Sequence, residues 1–408
     1  MIRTGLRIGI DGRELSGART GVGRYVANLC REWAADAAGR EVLVYTPDEA
    51  VASRFGGPGR GARVEVRTVP GAPGIWWEQT ALARAADADR VDVFFGPAYS
   101  IPLRLAAPAV VALHDISFAV HPEWFGWREG IRRRWLARRA ASRAARVVTV
   151  SEFARAEIVR EFDLDPARVV RVYDGIEAPA PAPSWVDRRA AVLADDPLTA
   201  AEDGPAPAGA KGQAAGAKGQ ATVPAPGPAL VLFVGTLFNR RHLPTLIAAF
   251  ARVVRRRPDA RLAIVGADRT HPPQDLAARA EAAGVADCVD LCGHLPEAEL
   301  GALFRGARVF AFLSEYEGFG MTPLEALAAG VPAVVGDSEV AREVCGDAAR
   351  YVPVDDAAVV AREIERLLDD EALRTDLLAR GAARLGRFTW RRAAAEMLDV
   401  LEQAAGGP

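Results

Sequence analysis

The sequence predicts an α/β protein made of two doubly wound, Rossmann-like domains that face a central cleft. Three observations support this prediction. Its 408 residues are too many for one ordinary hydrophobic core. Short apolar runs alternate with helical patterns in both halves, which indicates mostly parallel sheets. A stretch rich in Pro, Gly and Ala separates the two halves.

The first domain is predicted over residues 1–178. It opens with the apolar run "LRIGI", which is followed by a glycine-rich turn, "SGARTGVG". In the next segment Val26, Leu29, Cys30 and Trp33 recur at the spacing of one helix face. The other strand candidates of this half are "EVLVYT", "VDVFFG", "AVVALHD" and "RVVTVSE".

Residues 179–228 are predicted to be a linker or a disordered insertion. They contain a perfect tandem repeat, "AGAKGQA" at 208–214 and again at 215–221. This composition buries too little apolar surface to offset the entropy that ordering would cost. We therefore assign no chemistry to this region.

The second domain is predicted over residues 229–387, and a C-terminal helix follows at 388–408. Thr389 is placed to cap the N-terminus of that helix, which we expect to pack back on the first domain. In two such domains the carboxyl ends of the strands border a shared cleft, where ligands bind. The strand candidates are "ALVLFVGT", "ARLAIVGA", "CVDLCGH", "ARVFAFLS", "VPAVVG" and "ARYVP".

The composition argues against several classes of protein. The formal net charge is −2 at pH 7, so nothing favours nucleic acid as a partner. The first apolar run is too short for a signal peptide and no run could span a membrane, which favours a cytoplasmic location. Cys288, Cys292 and His294 are spaced like half a metal site. Because no second ligand pair lies nearby, buried thiols are the preferred interpretation.

A first motif, "VGTLFNRRHLPTLIAAF", carries two arginines into the cleft. A strand ends at Gly235, and Arg240 and Arg241 precede an apolar helix. Two guanidiniums beside a helix N-terminus can bind a phosphate or diphosphate. A solvated basic loop would account for the same residues.

A second motif, "EYEGFGMTPLEAL", combines acids with glycines. Glu317 follows a strand, and Gly318 and Gly320 allow backbone to approach a ligand closely. Glu325 lies near the start of the next helix, whose free amides can hold an anion. A ligand with a sugar, a diphosphate and a ribose fits two flanking acids. A capped helix with incidental surface acids would leave the glycines unexplained.

Together, Gly-x4-Arg-Arg and Glu-Gly-Phe-Gly-x4-Glu-Ala resemble the retaining glycosyltransferases of family four, which have the GT-B fold and use nucleotide sugars. The chain is particularly similar to bacterial mannosyltransferase-like members that build surface polysaccharides and glycolipids. Residues 179–228 lie outside the resemblance. The segments "TGVGRYVANL", "WWEQ", "LHDISFAVHPEWF", "VSEFARAEI" and "VVRVYDGI" resemble the family's acceptor domain.

The resemblance implies roles for individual residues at the donor. Arg240 and Arg241 would neutralise the diphosphate, Glu317 would bind hydroxyls of the transferred sugar, and Glu325 would bind the ribose hydroxyls. The family usually has Arg-Lys-Asn where this chain has Arg240-Arg241-His242. A second arginine keeps the charge, but it places its donors differently from a lysine.

Backbone and first-domain positions carry further implied roles. The amides of Phe319, Gly320 and Met321 would face the phosphates or the sugar, and Gly235 would also lie at the donor. The remaining implied positions belong to the first domain: Gly21 and Gly23 would let a loop approach the donor phosphate, and His114 would lie near the donor sugar and the reacting centre.

The expected donor is GDP-mannose, with UDP-glucose or another UDP-hexose as the reserve, and the expected acceptor is a glycan or a lipid-linked molecule. No metal is required, because the arginines can serve the diphosphate and no Asp-x-Asp cluster occurs. Two alternatives stay open: a GT-B nucleotide-sugar epimerase and a non-catalytic partner subunit that binds nucleotide sugars. An oxidoreductase is disfavoured because the first strand lacks a G-x-G-x-x-G fingerprint.

Residues 123–146 form a candidate peripheral contact with the inner face of the cell membrane. Eight arginines and one glutamate occur between positions 125 and 146. A helix from about Glu123 would align Trp124, Trp127, Ile131 and Trp135 in one stripe, which is typical of helices that dock on anionic bilayers. The alternative is a domain helix that buries its tryptophans and exposes its arginines.

Overall fold

The computed structural model describes residues 5–16, 21–35, 39–51, 64–177 and 229–406. These residues form two α/β domains, each built on one parallel sheet, which confirms the predicted fold class. The predicted insertion at 179–228 lies outside the described residues.

The sheet of the first domain has seven parallel strands in the order β3-β2-β1-β4-β5-β6-β7. Most of its strands are buried on both faces, as expected where helices cover both sides of a parallel sheet. The strands are β1 Arg7–Asp11, β2 Glu41–Thr46, β3 Val64–Thr68, β4 Val93–Gly96, β5 Ala109–Ala112, β6 Arg146–Thr149 and β7 Val169–Arg171.

Helices cover this sheet in the described part of the first domain. Helix α2 contains a π-helical stretch at Glu78–Leu82 between its segments Ile75–Trp77 and Ala83–Ala88. The others are α1 Gly21–Ala35, α3 Ser117–Val120, α4 Trp127–Arg143 and α5 Glu152–Phe162. Short 3-10 turns occur at Arg13–Leu15, Pro122–Trp124 and Pro166–Arg168.

The sheet of the second domain has six parallel strands in the order β10-β9-β8-β11-β12-β13. They are β8 Leu230–Val234, β9 Arg261–Val265, β10 Val289–Cys292, β11 Val309–Phe312, β12 Ala333–Gly336 and β13 Ala349–Val352. The helices are α6 Leu243–Arg256, α7 Leu276–Ala282, α8 Glu297–Gly306, α9 Met321–Ala328, α10 Glu339–Cys345, α11 Ala357–Asp369 and α12 Glu371–Leu385.

In both sheets the strand order reverses once. The reversal lies between β1 and β4 in the first sheet and between β8 and β11 in the second. Crevices for ligands form at such switch points, outside the carboxyl ends of the strands. The loop with Arg240 and Arg241 follows β8, and the loop with Glu317 follows β11, so the two motifs meet at this point of the second sheet.

The last helix, α13 Trp390–Ala405, packs against the first domain. Thr389 caps it by accepting a hydrogen bond from the amide of Arg392. Its apolar face, which includes Met397 and Leu401, joins the core cluster that contains β1 and α1. The indole N–H of Trp33 donates to the carbonyl of Ala394 at 3.0 Å.

The two segments that lead from one domain to the other touch each other. The amide of Ile176 donates to the carbonyl of Phe388 at 3.0 Å. A side chain at Gly175 would collide with the backbone of Trp390, so glycine permits the close approach there. We call this contact the hinge clasp.

Candidate active site

Arg241 is held in place by the two residues that follow strand β8 and by Glu317. Gly235 has φ of 148°, and a Cβ at this position would overlap Nη1 of Arg241. Nη1 donates to the carbonyl of Thr236 at 2.7 Å, while Nε and Nη2 lie 3.0 and 2.9 Å from Oε1 of Glu317. Gly235 therefore makes room for the guanidinium, and the donor contact predicted for it stays a prediction.

Glu317 accepts a further hydrogen bond from Ser314 Oγ at 2.8 Å. Burial acts to raise the pKa of Glu317, but the charges of Arg241 and Arg240 outweigh it, so the pKa is lowered. Glu317 is thus a partly buried, ionised carboxylate. Arg241 and Glu317, which the sequence assigned to different parts of the donor, form one ion pair.

Arg240 is buried next to this pair, and only 7% of its surface is exposed. Its guanidinium lies 4.6 Å from the ring of Phe238 and 5.6 Å from the ring of Trp124. Among the described residues its Nε has no hydrogen-bond partner. A solvated basic loop, the alternative for this motif, is therefore wrong. A buried cation with an unsatisfied donor matches what a phosphate oxygen requires.

Helix α9 begins directly after the glycine motif. Gly320 has φ of 84° and precedes the helix, and no side chain of the described residues caps the helix N-terminus. The first amides of α9 can therefore donate to an anion. The ring of Phe319 is buried 5.9 Å from Tyr173 and 5.4 Å from Phe388, so its side chain belongs to the core.

Glu325 lies inside α9 and is also buried. Its Oε1 is 2.5 Å from Nη2 of Arg24, which belongs to α1 of the first domain. Gly21, the first residue of α1, is exposed and has open space around it, whereas Gly23 is buried. The sequence did not single out Arg24.

His114 follows β5 and is partly buried. Its Nε2 lies 2.9 Å from the carbonyl of Pro97, so Nε2 carries the proton and Nδ1 is an acceptor. Burial lowers the pKa of His114, although this hydrogen bond and the charge of Asp115 oppose the effect. The ring is therefore neutral at pH 7.

The carbonyl of His114 faces Gly318, where a Cβ would overlap it. Gly318 was predicted to let backbone approach a ligand; in the structure its missing side chain lets the backbones of the two domains approach each other. The carbonyl of Gly318 also accepts a hydrogen bond from Ser151 Oγ of the first domain at 2.6 Å.

Other contacts between the domains have no motif in the sequence. Tyr316 donates from its hydroxyl to Glu157 Oε2 at 2.7 Å. Glu343 of α10 accepts from the amides of Glu152 and Phe153 at 2.7 and 3.0 Å, so it caps helix α5 of the other domain. The two partners of each contact are far apart in the sequence, so no local sequence pattern predicts the contact.

Helix α4 begins at Trp127, later than predicted. Trp124 lies in a 3-10 turn and stacks on His121 at 3.9 Å, near Arg240, so its place in the apolar stripe was wrong. Trp127, Ile131 and Trp135 are 70%, 62% and 57% exposed. The alternative, in which the helix buries its tryptophans, is therefore wrong for Trp127 and Trp135. Within the described ranges no helix is both long enough and apolar enough to cross a membrane.

Cys292 is buried and Cys288 is partly buried, and both are free thiols. Over the part of the chain that the structure describes, no three His, Cys, Asp or Glu side chains are grouped as metal ligands.

Two family models match the chain. Residues 19–178 match the model described as Glycosyltransferase Family 4, and residues 218–384 match Glycosyl transferases group 1. The chain is similar to a phosphatidyl-myo-inositol mannosyltransferase of Mycolicibacterium smegmatis, with 33% identity over 43% of this chain and 45% of that protein. This alignment therefore spans less than half the length of the relative.

The chain is also similar to O-antigen chain mannosyltransferase B of Escherichia coli, with 26% identity over 76% of this chain and 73% of that protein. Among solved structures, Anabaena Alr3699/HepE in complex with UDP and glucose superposes with a TM-score of 0.67. The identity is 17%, over 97% of this chain and 99% of that chain, and this likeness establishes the fold.

Proposed function

Because the chain belongs to the glycosyltransferases of family four, we propose that it is a retaining enzyme that transfers a hexose from a nucleotide sugar. The acceptor is a glycan or a glycolipid in the biosynthesis of a surface polysaccharide or glycan. Mannose is favoured as the sugar and GDP-mannose as the donor, because two of the similar proteins are mannosyltransferases. A UDP-hexose is the reserve, because the Anabaena protein was solved with UDP and glucose.

The observation that carries this proposal is the group formed by buried Arg240 and Arg241 and partly buried Glu317, beside the N-terminus of α9, which no side chain of the described residues caps. When the glycosidic bond of the donor breaks, negative charge grows on the diphosphate and positive charge on the sugar ring. Two guanidiniums and helix-terminal amides stabilise the leaving group, and each such donor contributes roughly 3 kcal/mol. The closed cleft holds the acceptor hydroxyl near the anomeric carbon.

Glu317 positions the sugar and does not attack it. Its Oε1 already accepts from Ser314 and from both Nε and Nη2 of Arg241, which leaves Oε2 for sugar hydroxyls. The anomeric configuration is then retained because the acceptor hydroxyl attacks the sugar from the face that the diphosphate is leaving. A departing phosphate oxygen takes the proton of the acceptor, and neutral His114 lies at the first-domain side of the reacting centre.

The test is thermal unfolding of the purified protein with GDP-mannose, UDP-glucose, other nucleotide sugars and NAD. A ligand at one hundred times its dissociation constant stabilises the folded state by about 2.7 kcal/mol. One nucleotide sugar should raise the melting temperature of the wild type, and the shift should shrink in Glu317→Gln and Arg240→Ala. Arg279→Ala, an exposed site on α7, is the matched control and should behave like the wild type.

The donor found in this way is then incubated with and without candidate acceptors. Transfer with retained configuration supports the proposal. No shift with any nucleotide sugar would overturn it, and release of an altered sugar without an acceptor would point to an epimerase. A covalent glycosyl adduct on Glu317 would overturn the assigned mechanism.

We also propose that helix α4 brings the enzyme to the inner face of an anionic membrane, where a lipid-linked acceptor would lie. Trp127, Ile131 and Trp135 form an exposed apolar stripe on this helix. Arg128 and Arg139 flank it, with their guanidiniums 5.0 and 6.0 Å from the rings of Trp127 and Trp135. Aromatic side chains can enter the headgroup region while the arginines meet lipid phosphates.

A further inference from the structure

The two arginines of the first motif differ in how their N–H groups are used. All three guanidinium nitrogens of Arg241 contact oxygens of the protein: Nε and Nη2 contact Glu317, and Nη1 contacts the carbonyl of Thr236. Arg240 is buried as well, but none of the ion pairs among the described residues includes it, and its Nε has no hydrogen-bond partner there. Arg240 therefore keeps its donors for a ligand, and an oxygen of a diphosphate is a suitable acceptor.

Three aromatic rings lie next to the guanidinium of Arg240. The ring centres of Phe238 and Tyr316, both in the second domain, lie 4.6 and 6.0 Å from its central carbon. The ring centre of Trp124, in the first domain, lies 5.6 Å from the same atom. An aromatic ring attracts a cation through its π face. Because a ring has no carboxylate oxygens, it does not compete with a phosphate for the N–H groups as an acidic side chain would.

Trp124 is held by contacts with both domains. Its ring stacks on His121 of the first domain, with 3.9 Å between the ring centres and 13° between the planes. It also meets Tyr316 of the second domain edge to face, at 5.8 Å and 69°. The position of Trp124 beside Arg240 therefore depends on the contact between the domains. If the domains separate, Arg240 loses the ring of Trp124.

We propose that Trp124 is a positioning residue for the donor diphosphate, because it holds the Arg240 guanidinium in place when the domains meet. The inference rests on the proposed function, which assigns Arg240 to the diphosphate. A buried cation without an acidic partner is costly, and contact with the face of a tryptophan offsets part of that cost. The donor then binds most tightly to the state in which the domains touch at Trp124, and its binding favours that state.

A double-mutant cycle distinguishes this role from a merely structural one. We would measure the affinity for GDP, UDP, GDP-mannose and UDP-glucose by calorimetry in the wild type, Trp124→Leu, Arg240→Gln and the double variant. Trp124→Leu should weaken binding about five- to tenfold, because Arg240 is then held less firmly. In the Arg240→Gln background the same change should cost less than about twofold, because the side chain through which Trp124 acts is gone.

Two variants serve as controls. Trp124→Phe keeps an aromatic ring and should bind within about threefold of the wild type. Trp76→Leu removes an exposed tryptophan of α2 in the same domain, and its affinity should match the wild type. If Trp124→Leu does not fold, Trp124→Met, which also lacks a ring, takes its place in the cycle.

Three results would overturn the role of Trp124 and leave the proposed function standing. They are an equal loss of affinity from Trp124→Leu in both backgrounds, no loss in either, and a loss in Trp124→Phe as large as that in Trp124→Leu. If the wild type binds none of the four nucleotides, the proposed function and the role of Trp124 fall together.

Discussion

At the scale of single residues, Gly235 determines where the Arg241 guanidinium lies. A Cβ at Gly235 would overlap Nη1 of Arg241, and its φ of 148° disfavours other residues. We expect Gly235→Ala to displace Arg241 from Glu317, to destabilise the protein by about 2 kcal/mol, and to abolish stabilisation by the donor. Urea unfolding with and without the nucleotide sugar measures both effects.

Gly330→Ala is the control that distinguishes two effects of Gly235→Ala: the overlap with Arg241 and the strain of a positive φ. Gly330 also has a positive φ, 78°, but a Cβ there would meet no atom within 4 Å. We expect this variant to lose about 1 kcal/mol of stability and to keep its response to the donor. If the two variants respond alike to the donor, the position of Arg241 does not depend on Gly235.

Asp174 makes stability depend on pH. In the unfolded chain its carboxyl ionises at the ordinary pKa of 3.8, whereas in the folded protein the pKa is raised to about 7. Between these values the folded state keeps a proton that the unfolded state loses, so the stability of the folded state falls as pH rises. The loss is about 1.4 kcal/mol per pH unit and levels off above pH 7.

We therefore expect Asp174→Asn to be more stable than the wild type, by up to roughly 4 kcal/mol at pH 8 and by less at pH 5. Urea unfolding at the two pH values measures the difference. Asp399→Asn, at an exposed site on α13, should not change the pH dependence. A stability gain that is the same at both pH values would show that Asp174 does not titrate in this range.

At the scale of secondary-structure elements, α4 carries the testable membrane surface. We expect the wild type to co-sediment with vesicles of phosphatidylglycerol and phosphatidylcholine at low salt and to dissociate as salt rises. Replacing Trp127 and Trp135 by Ser should reduce the bound fraction several-fold, because their burial in the headgroup region is lost.

Trp76→Ser is the matched control, since Trp76 is 81% exposed and lies on α2, not on the arginine-rich helix α4. It should leave vesicle binding unchanged. Absence of binding to anionic vesicles at low salt would rule out the membrane role of α4.

The sequence predicted most elements, because apolar runs mark strands that are buried on both faces. It gave no sign of β3, whose residues alternate and are largely exposed. The start of α4 was misplaced because helical spacing alone cannot exclude Trp124. That side chain is instead held by His121 and lies near Arg240, and these are tertiary contacts.

At the scale of the whole molecule, a side chain of the second domain caps a helix of the first. Glu343 of α10 caps helix α5, and the hydroxyl of Tyr173 donates to the same carboxylate at 2.9 Å. Glu343→Ala leaves two helix amides without this acceptor, and we expect the contact between the domains to weaken by roughly 2 kcal/mol. Calorimetry should resolve two unfolding transitions, and small-angle scattering should give a larger radius of gyration.

Glu339→Ala, at an exposed site on the same helix, should unfold like the wild type. If Glu343→Ala still unfolds in the same single transition as the wild type, the cap does not hold the domains together.

The candidate site shows the same limit of sequence reasoning. Arg240, Arg241, Glu317 and Glu325 could be recognised because each lies in a local motif. Their partners depend on how distant segments meet, so neither the pairing of Arg241 with Glu317 nor the contact of Arg24 with Glu325 could be predicted.

The hinge clasp has a mechanical consequence. The two segments that connect the domains are pinned to each other where Ile176 donates to Phe388. The domains can rotate about this contact and keep its hydrogen bond, whereas sliding the domains past each other or separating them would break it. Opening would therefore be angular, and displacement would grow with distance from Ile176. A pair of distance labels near the hinge should report almost no change, and the same pair moved to the far rim of the cleft should report the largest.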